Sequence, residues 1–161
     1  MSWHDQNAQF NEIINQLFQK ESWHKRPEAA KELGLMKDGR AVNLLCKALK
    51  SENNETVQNK IIESLGKIGN AKATMVIIEK LKEDINKGFV DKFRLTYIIE
   101  SLINIKDKRA LVYIGPLLNS KDEDLKKLAE KTFDIIEPNW REIIERQPKE
   151  KSFEEIFKIK I

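Results

Sequence analysis

The chain has 161 residues, of which 40% are hydrophobic and 34% charged, a composition typical of one soluble, helix-rich domain. Its 29 Lys and Arg against 26 Asp and Glu give a net charge of +3, too small for a general attraction to polyanions. The single cysteine, Cys46, excludes an internal disulfide and a multi-cysteine metal site, and it favours a reducing, cytoplasmic location. No apolar run reaches the roughly 18 residues of a membrane span, and the amino terminus lacks the pattern of a secretory signal.

The first predicted helix is amphipathic and runs from about Asp5, as its N-cap, to Lys20. Its apolar residues recur on one face: Phe10, Ile13, Ile14, Leu17 and Phe18. A second helix is predicted to begin near Pro27 and a third after Gly39. Three glycines are expected at helix ends: Gly34, Gly66 and Gly69.

An internal repeat then organises the chain. A shift of 32 residues places the apolar positions of segment 29–49 on those of 61–81. A further shift of 37 places segment 61–65 on the identical segment 98–102, and a shift of 31 reaches 129–136. Such periods are typical of helical hairpins that cannot bury their apolar faces alone and therefore stack. The sequence predicts an all-α solenoid with three full hairpins.

A short polar turn joins the two helices of each predicted hairpin. It reads DGRA at 38–41, NAKA at 70–73 and DKRA at 107–110. The Asp or Asn that opens the turn is expected to cap the second helix. The basic residue two positions later is expected to meet the Asp or Asn of an adjacent repeat and so form a ladder between layers.

These residues resemble HEAT repeats, and most closely the short subtype named for the phycocyanobilin lyases. Segment Arg26–Leu49 carries the resemblance best, with its Ala-Ala pair, Leu-Gly, Asp-Gly-Arg-Ala-Val, Leu-Leu and Ala-Leu. The resemblance covers about Trp23 to Ile136. It implies a right-handed superhelix of paired helices whose second helices line the concave side.

Two kinds of region break the period. Residues 84–91 contain an insertion, and the aromatic residues Phe89, Phe93 and Tyr97 then recur at helical spacing, either as core or as a protruding binding element. Residues 1–21 and 137–161 are predicted to cap the repeats at 22–136 within one domain, because the ends of a solenoid must be closed. Ser152 and Glu155 have the spacing of a capping box.

The sequence predicts neither catalysis nor a metal site. His4 and His24 each follow a tryptophan and lack a neighbouring ligand at metal-binding spacing. Cys46 aligns with Ile78 and Gly115 in the later repeats, which indicates a packed side chain rather than a nucleophile. We therefore expect a protein that is not an enzyme and has no cofactor.

The leading interpretation is a monomeric scaffold that binds a protein or peptide through the concave surface. We expect no membrane binding. Five outward positions of the second helices are expected to line it: Asn43, Lys47, Met75, Glu79 and Val112. One alternative is an accessory subunit of an enzyme, of the bilin-lyase kind that the resemblance implies. Another is weak nucleic-acid binding through Arg40, Lys72 and Arg109, which the nearly balanced charge disfavours.

Overall fold

The computed structural model describes residues 1–88 and 91–161. In those residues the regular structure is helical throughout, which confirms the prediction of an all-α fold. The α-helices are α1 (Trp3–Leu17), α2 (Lys25–Met36), α3 (Ala41–Ser51), α4 (Glu55–Ile68), α5 (Thr74–Asn86), α6 (Lys92–Ile105), α7 (Ala110–Ile114), α8 (Glu123–Ile136), α9 (Trp140–Glu145) and α10 (Phe153–Phe157). Short 3-10 helices at Ala71–Ala73 and Gly115–Asn119 precede α5 and follow α7.

The helices pack in two layers. Helices α2, α4, α6 and α8 lie side by side in the first layer, and α3, α5 and α7 form the second. The pairs α2–α3, α4–α5 and α6–α7 are the three predicted hairpins, and the identical segments 61–65 and 98–102 occupy equivalent places on α4 and α6. The predicted solenoid is therefore confirmed.

The core lies between the two layers and follows the repeated apolar positions. Its largest side chains on α4 and α6 are fully buried: Ile61, Ile62, Leu65, Ile98, Ile99 and Leu102. Burial of one such side chain contributes about 1.5–3 kcal/mol relative to exposure. Because α4 packs against both α2 and α6, neighbouring hairpins bury part of each other's apolar surface.

Two glycines set the distance between first-layer helices. A Cβ on Gly34 would lie 2.9 Å from the Cα of Ser64, and one on Gly66 would lie 2.7 Å from the Cα of Ser101. Both glycines lie in the last turn of their helices, two residues before Met36 and Ile68, near the helix ends where they were expected. Gly69 does end α4, in a left-handed conformation with φ of 76°.

The first helix begins earlier than predicted. Ser2 is the N-cap of α1, and its hydroxyl accepts a hydrogen bond from the N–H of Asp5, whose carboxylate accepts from Ser2 in return. The assignment of Asp5 as N-cap was therefore wrong, because Asp5 is the second partner of a capping box. The helix ends at Leu17 rather than Lys20.

The insertion before the third hairpin is described only in part. Phe89 lies outside the described residues. Helix α6 begins at Lys92, capped by the side chain of Asp91, and Phe93 in its first turn is 76% exposed. Tyr97, one turn later, is half-buried.

Aromatic side chains gather at the carboxyl-terminal end of the solenoid. The ring of Phe133 on α8 lies 5.2 Å from Trp140, 5.8 Å from Phe153 and 5.7 Å from Phe157, between ring centroids. The Phe153 ring occupies the space beside Gly115, where a Cβ would come within 2.5 Å of it. Ser152 caps α10 by accepting from the N–H of Glu155, as its capping-box spacing predicted.

Candidate functional site

The exposed side of α3, α5 and α7, here called the second-helix face, carries equivalent residues in rows. One row is apolar and half-buried: Leu44, Val76 and Tyr113. The neighbouring row becomes more apolar along the chain: Asn43, Met75 and Val112. Because each hairpin presents the same positions, the rows cross three successive repeats.

The five predicted binding residues all lie on these three helices. Asn43, Lys47 and Glu79 are exposed, while Met75 and Val112 are half-buried. The structure brings them to one layer, on helices that contact each other in sequence. Their part in binding a partner stays a prediction.

Two lysines of this face lie near aromatic rings, one ring on α7 and the other at the end of α1. The Nζ of Lys47 lies 5.9 Å from the centroid of the Phe18 ring, and that of Lys82 lies 4.9 Å from the Tyr113 ring. Lys82 also forms an ion pair of 3.0 Å with Glu79, and this hydrogen bond raises the pKa of Lys82. The negative charge of Glu79 is therefore compensated by Lys82 on the same face.

The turns that precede the second helices contain ion pairs within each turn. Asp38 and Arg40 are joined at 2.6 Å, and so are Asp107 and Arg109. The predicted ladder, in which the basic residue meets the Asp or Asn of another repeat, was wrong. The side chain of an arginine two residues after an aspartate is long enough to fold back on the carboxylate. The carboxylate also accepts a hydrogen bond from the backbone N–H of the same arginine.

Links between repeats do exist at these turns, but they use other acceptors. Arg109 donates to the backbone carbonyl of Ala71 in the preceding turn at 3.0 Å. Arg40 donates to the side-chain oxygen of Asn7 on α1 at 2.9 Å and lies 4.4 Å from the Phe10 ring centroid. These contacts tie the turn at 107–110 to the preceding turn and the turn at 38–41 to α1.

The pairing changes the charge that the turns present. The side-chain hydrogen bond from Arg40 lowers the pKa of Asp38. Burial raises the pKa of Asp107, but several opposing interactions, led by the hydrogen bonds from Arg109, together leave that pKa below its usual value. Two of the three basic turn residues are thus compensated, which weakens the case for a stripe that follows a phosphate backbone.

A second surface lies on the first layer, between α6 and α8. It is a groove of about 510 Å³ whose apolar walls are Phe93, Tyr97, Leu125 and Leu128. Phe93 protrudes into solvent there, as the sequence allowed for part of the aromatic insertion. This groove is the competing binding surface.

A third concavity, missed by the sequence analysis, lies beside the loop between α1 and α2. The cleft has a volume of about 760 Å³ and is lined in part by Phe18, Gln19 and Trp23. At its base Arg26 and Glu52 form an ion pair of 2.7 Å. Phe18 and Trp23, five residues apart near the end of the first helix, were the available signal, but the spacing alone does not show that the loop brings them to one cleft.

The potentially reactive side chains of the described residues do not form a catalytic or metal-binding cluster. Burial raises the pKa of the Cys46 thiol, which disfavours the nucleophilic thiolate. His4 and His24 are exposed and pack against their neighbouring tryptophans. Across residues 1–88 and 91–161, no three His, Cys, Asp or Glu side chains are placed to hold a metal ion. Over the same ranges no helix combines the length and apolarity needed to cross a membrane.

The amino-terminal half of this architecture has a recognisable family signature. Residues 10–88 match the family model described as HEAT repeats. The match begins within α1 and includes Asn43, Lys47, Met75 and Glu79, so four of the five candidate residues lie in the matched segment. No curated protein sequence matches the chain.

Proposed function

We propose that the chain is a non-catalytic scaffold that binds a protein or peptide through the second-helix face of its HEAT repeats. The observation that carries the proposal is the half-buried apolar row of Leu44, Val76 and Tyr113, contributed by three successive hairpins. Stacked repeats present a similar strip in each layer, which suits an extended partner. The partner therefore contacts one hairpin after another.

The proposed contact residues are those next to this apolar row. Met75 and Val112 offer apolar contact, and the flexible thioether of Met75 adapts to different partner side chains. Asn43, Lys47 and Glu79 supply the polar rim. The resemblance to HEAT repeats implies that this face is concave.

The proposed setting is a cytoplasmic monomer made of one domain. Residues 1–21 and 137–161 close the ends, and residues 22–136 form the repeats. Action as an accessory subunit of an enzyme, of the bilin-lyase kind, is a narrower form of the same proposal and uses the same face.

A comparative capture experiment tests the proposal. The full chain and two variants are immobilised and incubated with extract from the source cells. The variants are Lys47→Glu/Met75→Glu on the second-helix face and Phe93→Ser in the first-layer groove. Circular dichroism and thermal unfolding first establish that each variant keeps its fold.

We expect the captured proteins to be lost by at least about tenfold with Lys47→Glu/Met75→Glu and kept with Phe93→Ser. Phe93 is 76% exposed, so its replacement leaves the core intact. Loss with Phe93→Ser alone would place the binding surface between α6 and α8 and contradict the proposal.

A further inference from the structure

We infer that the partner segment bound by the second-helix face is an acidic peptide with interspersed apolar residues. The inference rests on the proposed function and adds the chemistry of the partner. It follows from where positive charge lies around the apolar row, and from which charges are already compensated within the protein.

Basic residues lie on both sides of the apolar row. On one side are the turns that start the second helices, with Arg40, Lys72 and Arg109. On the other side are residues later in the same helices: Lys47, Lys50 and Lys82. A segment that runs along the row from α3 to α7 therefore lies between two borders that contain basic residues, some of them paired within the protein.

The acidic residues of this region are already engaged. Glu79 pairs with Lys82 at 3.0 Å and Glu83 with Lys80 at 2.9 Å. Asp38 and Asp107 are held by the arginines of their own turns.

Three lysines remain uncompensated. Over the described residues, Lys47, Lys50 and Lys72 have no carboxylate oxygen within 4.0 Å. All three are exposed. These three lysines leave uncompensated positive charge at the borders of the apolar row, which favours an acidic partner over a basic one.

The face is short, which limits the partner segment. Neighbouring packed helices lie about 8–10 Å apart, so the distance from α3 to α7 is about 20 Å. An extended chain covers that distance in about six residues. A peptide of about this length, with acidic residues toward the borders and apolar residues on the row, matches the surface.

A protein segment fits these features better than a nucleic acid. A phosphate backbone would satisfy the lysines but would leave Leu44, Val76 and much of Tyr113 without an apolar partner. An acidic peptide with apolar residues can pair with the lysines and also cover the apolar row. A nucleic acid is therefore an outcome of the test rather than the inference.

Selection from a random peptide library tests the inference with a defined probe. A displayed library of about 12-residue peptides is selected against the full chain at low ionic strength. Affinities of the enriched peptides are then measured for the wild type, for Met75→Glu, for Lys47→Glu/Lys72→Glu and for Lys127→Glu/Lys131→Glu. The last pair lies exposed on α8 and changes net charge equally.

We expect the enriched peptides to be rich in Asp and Glu and to contain apolar residues. Reversal of Lys47 and Lys72 is expected to weaken their binding by about tenfold or more at low salt, and the α8 control by less than about twofold. Higher ionic strength should reduce the difference in affinity between the wild type and Lys47→Glu/Lys72→Glu, since exposed charges are screened.

The contradicting outcomes separate this inference from the proposed function. Neutral or basic peptides that lose binding with Met75→Glu would overturn the acidic partner and leave the second-helix face in place. Acidic peptides that bind Lys47→Glu/Lys72→Glu and Met75→Glu as tightly as wild type would overturn both. A 12-nucleotide single strand that outcompetes the peptides, and is lost with Lys47→Glu/Lys72→Glu, would replace the peptide with nucleic acid.

Discussion

Ser101 lies directly against the backbone of Gly66 where α6 crosses α4, so that a Cβ at position 66 would come within 2.7 Å of the Ser101 Cα. The hydroxyl of Ser101 donates to the carbonyl of Ile62 at 2.9 Å across the same crossing. The first layer is therefore spaced by a contact that only glycine permits.

Replacement of Gly66 by alanine should push α4 and α6 apart. We expect the free energy of unfolding to fall by about 1–3 kcal/mol, as for overpacking of a tight core. Chemical denaturation measures it. Gly39→Ala is the control, because a Cβ there meets no atom within 4 Å and should change stability by less than about 0.5 kcal/mol. Equal stability of Gly66→Ala and wild type would contradict the assigned contact.

Asp107 is predicted to stabilise its turn without contacting the partner. Asp107→Ala should lower the free energy of unfolding by about 0.5–2 kcal/mol, since it removes the acceptor for the N–H of Arg109. Asp107→Asn should cost less, because Asn70 accepts the N–H of Lys72 at the equivalent place. Unchanged stability together with lost partner binding would make the turn a functional element instead.

The same residue predicts a pH dependence. The pKa of Asp107 in the folded chain is below its ordinary value of 3.8, so its charge stabilises the fold above that pH. The stability difference between wild type and Asp107→Asn should be full near neutral pH and shrink as the pH falls below 3.8. Thermal unfolding measured across this range should reveal the narrowing. A difference that does not vary with pH would contradict the ion pair with Arg109.

Helix α1 is predicted to shield the first hairpin. Its side chains Phe10, Ile13 and Leu17 are buried, and the helix packs on α2 and α3. Deletion of residues 1–21 should cause aggregation or a marked fall in melting temperature. Leu17→Ala should cost about 2–5 kcal/mol, and the exposed control Asn15→Ala less than about 0.5 kcal/mol. A shortened chain that stays monomeric and equally stable would indicate a mobile arm.

The carboxyl-terminal tail is predicted to dock through Phe153 against Gly115. Gly115→Val fills the space of the ring and should release α10, because a Cβ there would lie 2.5 Å from Phe153. Trypsin should then cleave faster at Lys149 and Lys151, as limited digestion would show. Ile161→Ala, 62% exposed at the end of the chain, should leave the cleavage rate unchanged. A Gly115→Val chain as resistant as wild type would contradict this docking.

Much of the fold could be predicted from the sequence because the apolar positions repeat. The equivalence of segments 61–65 and 98–102 required two similar helices in similar surroundings, and the two-layer packing followed. The role of Gly66 could not be predicted, since the close approach to Ser101 depends on how two repeats cross. The spacing of Ser2 and Asp5 is that of a capping box, but the sequence analysis assigned the N-cap to Asp5 instead of Ser2.

The candidate site divides in the same way. Helical phase was enough to place Lys47, Met75 and Glu79 on the exposed side of α3 and α5. The compensation of Arg109 by its own Asp107 was not predictable, because it depends on the conformation of a long side chain. That compensation determines which positive charges remain for a partner.

Hydrogen–deuterium exchange of the full chain, alone and saturated with a selected peptide or a captured partner, locates the binding surface on the helices. Binding at the second-helix face should slow exchange in α3, α5 and α7 and leave the region around Phe93 unchanged. Slowed exchange confined to α6 and α8 would contradict binding at the second-helix face and place the partner in the first-layer groove.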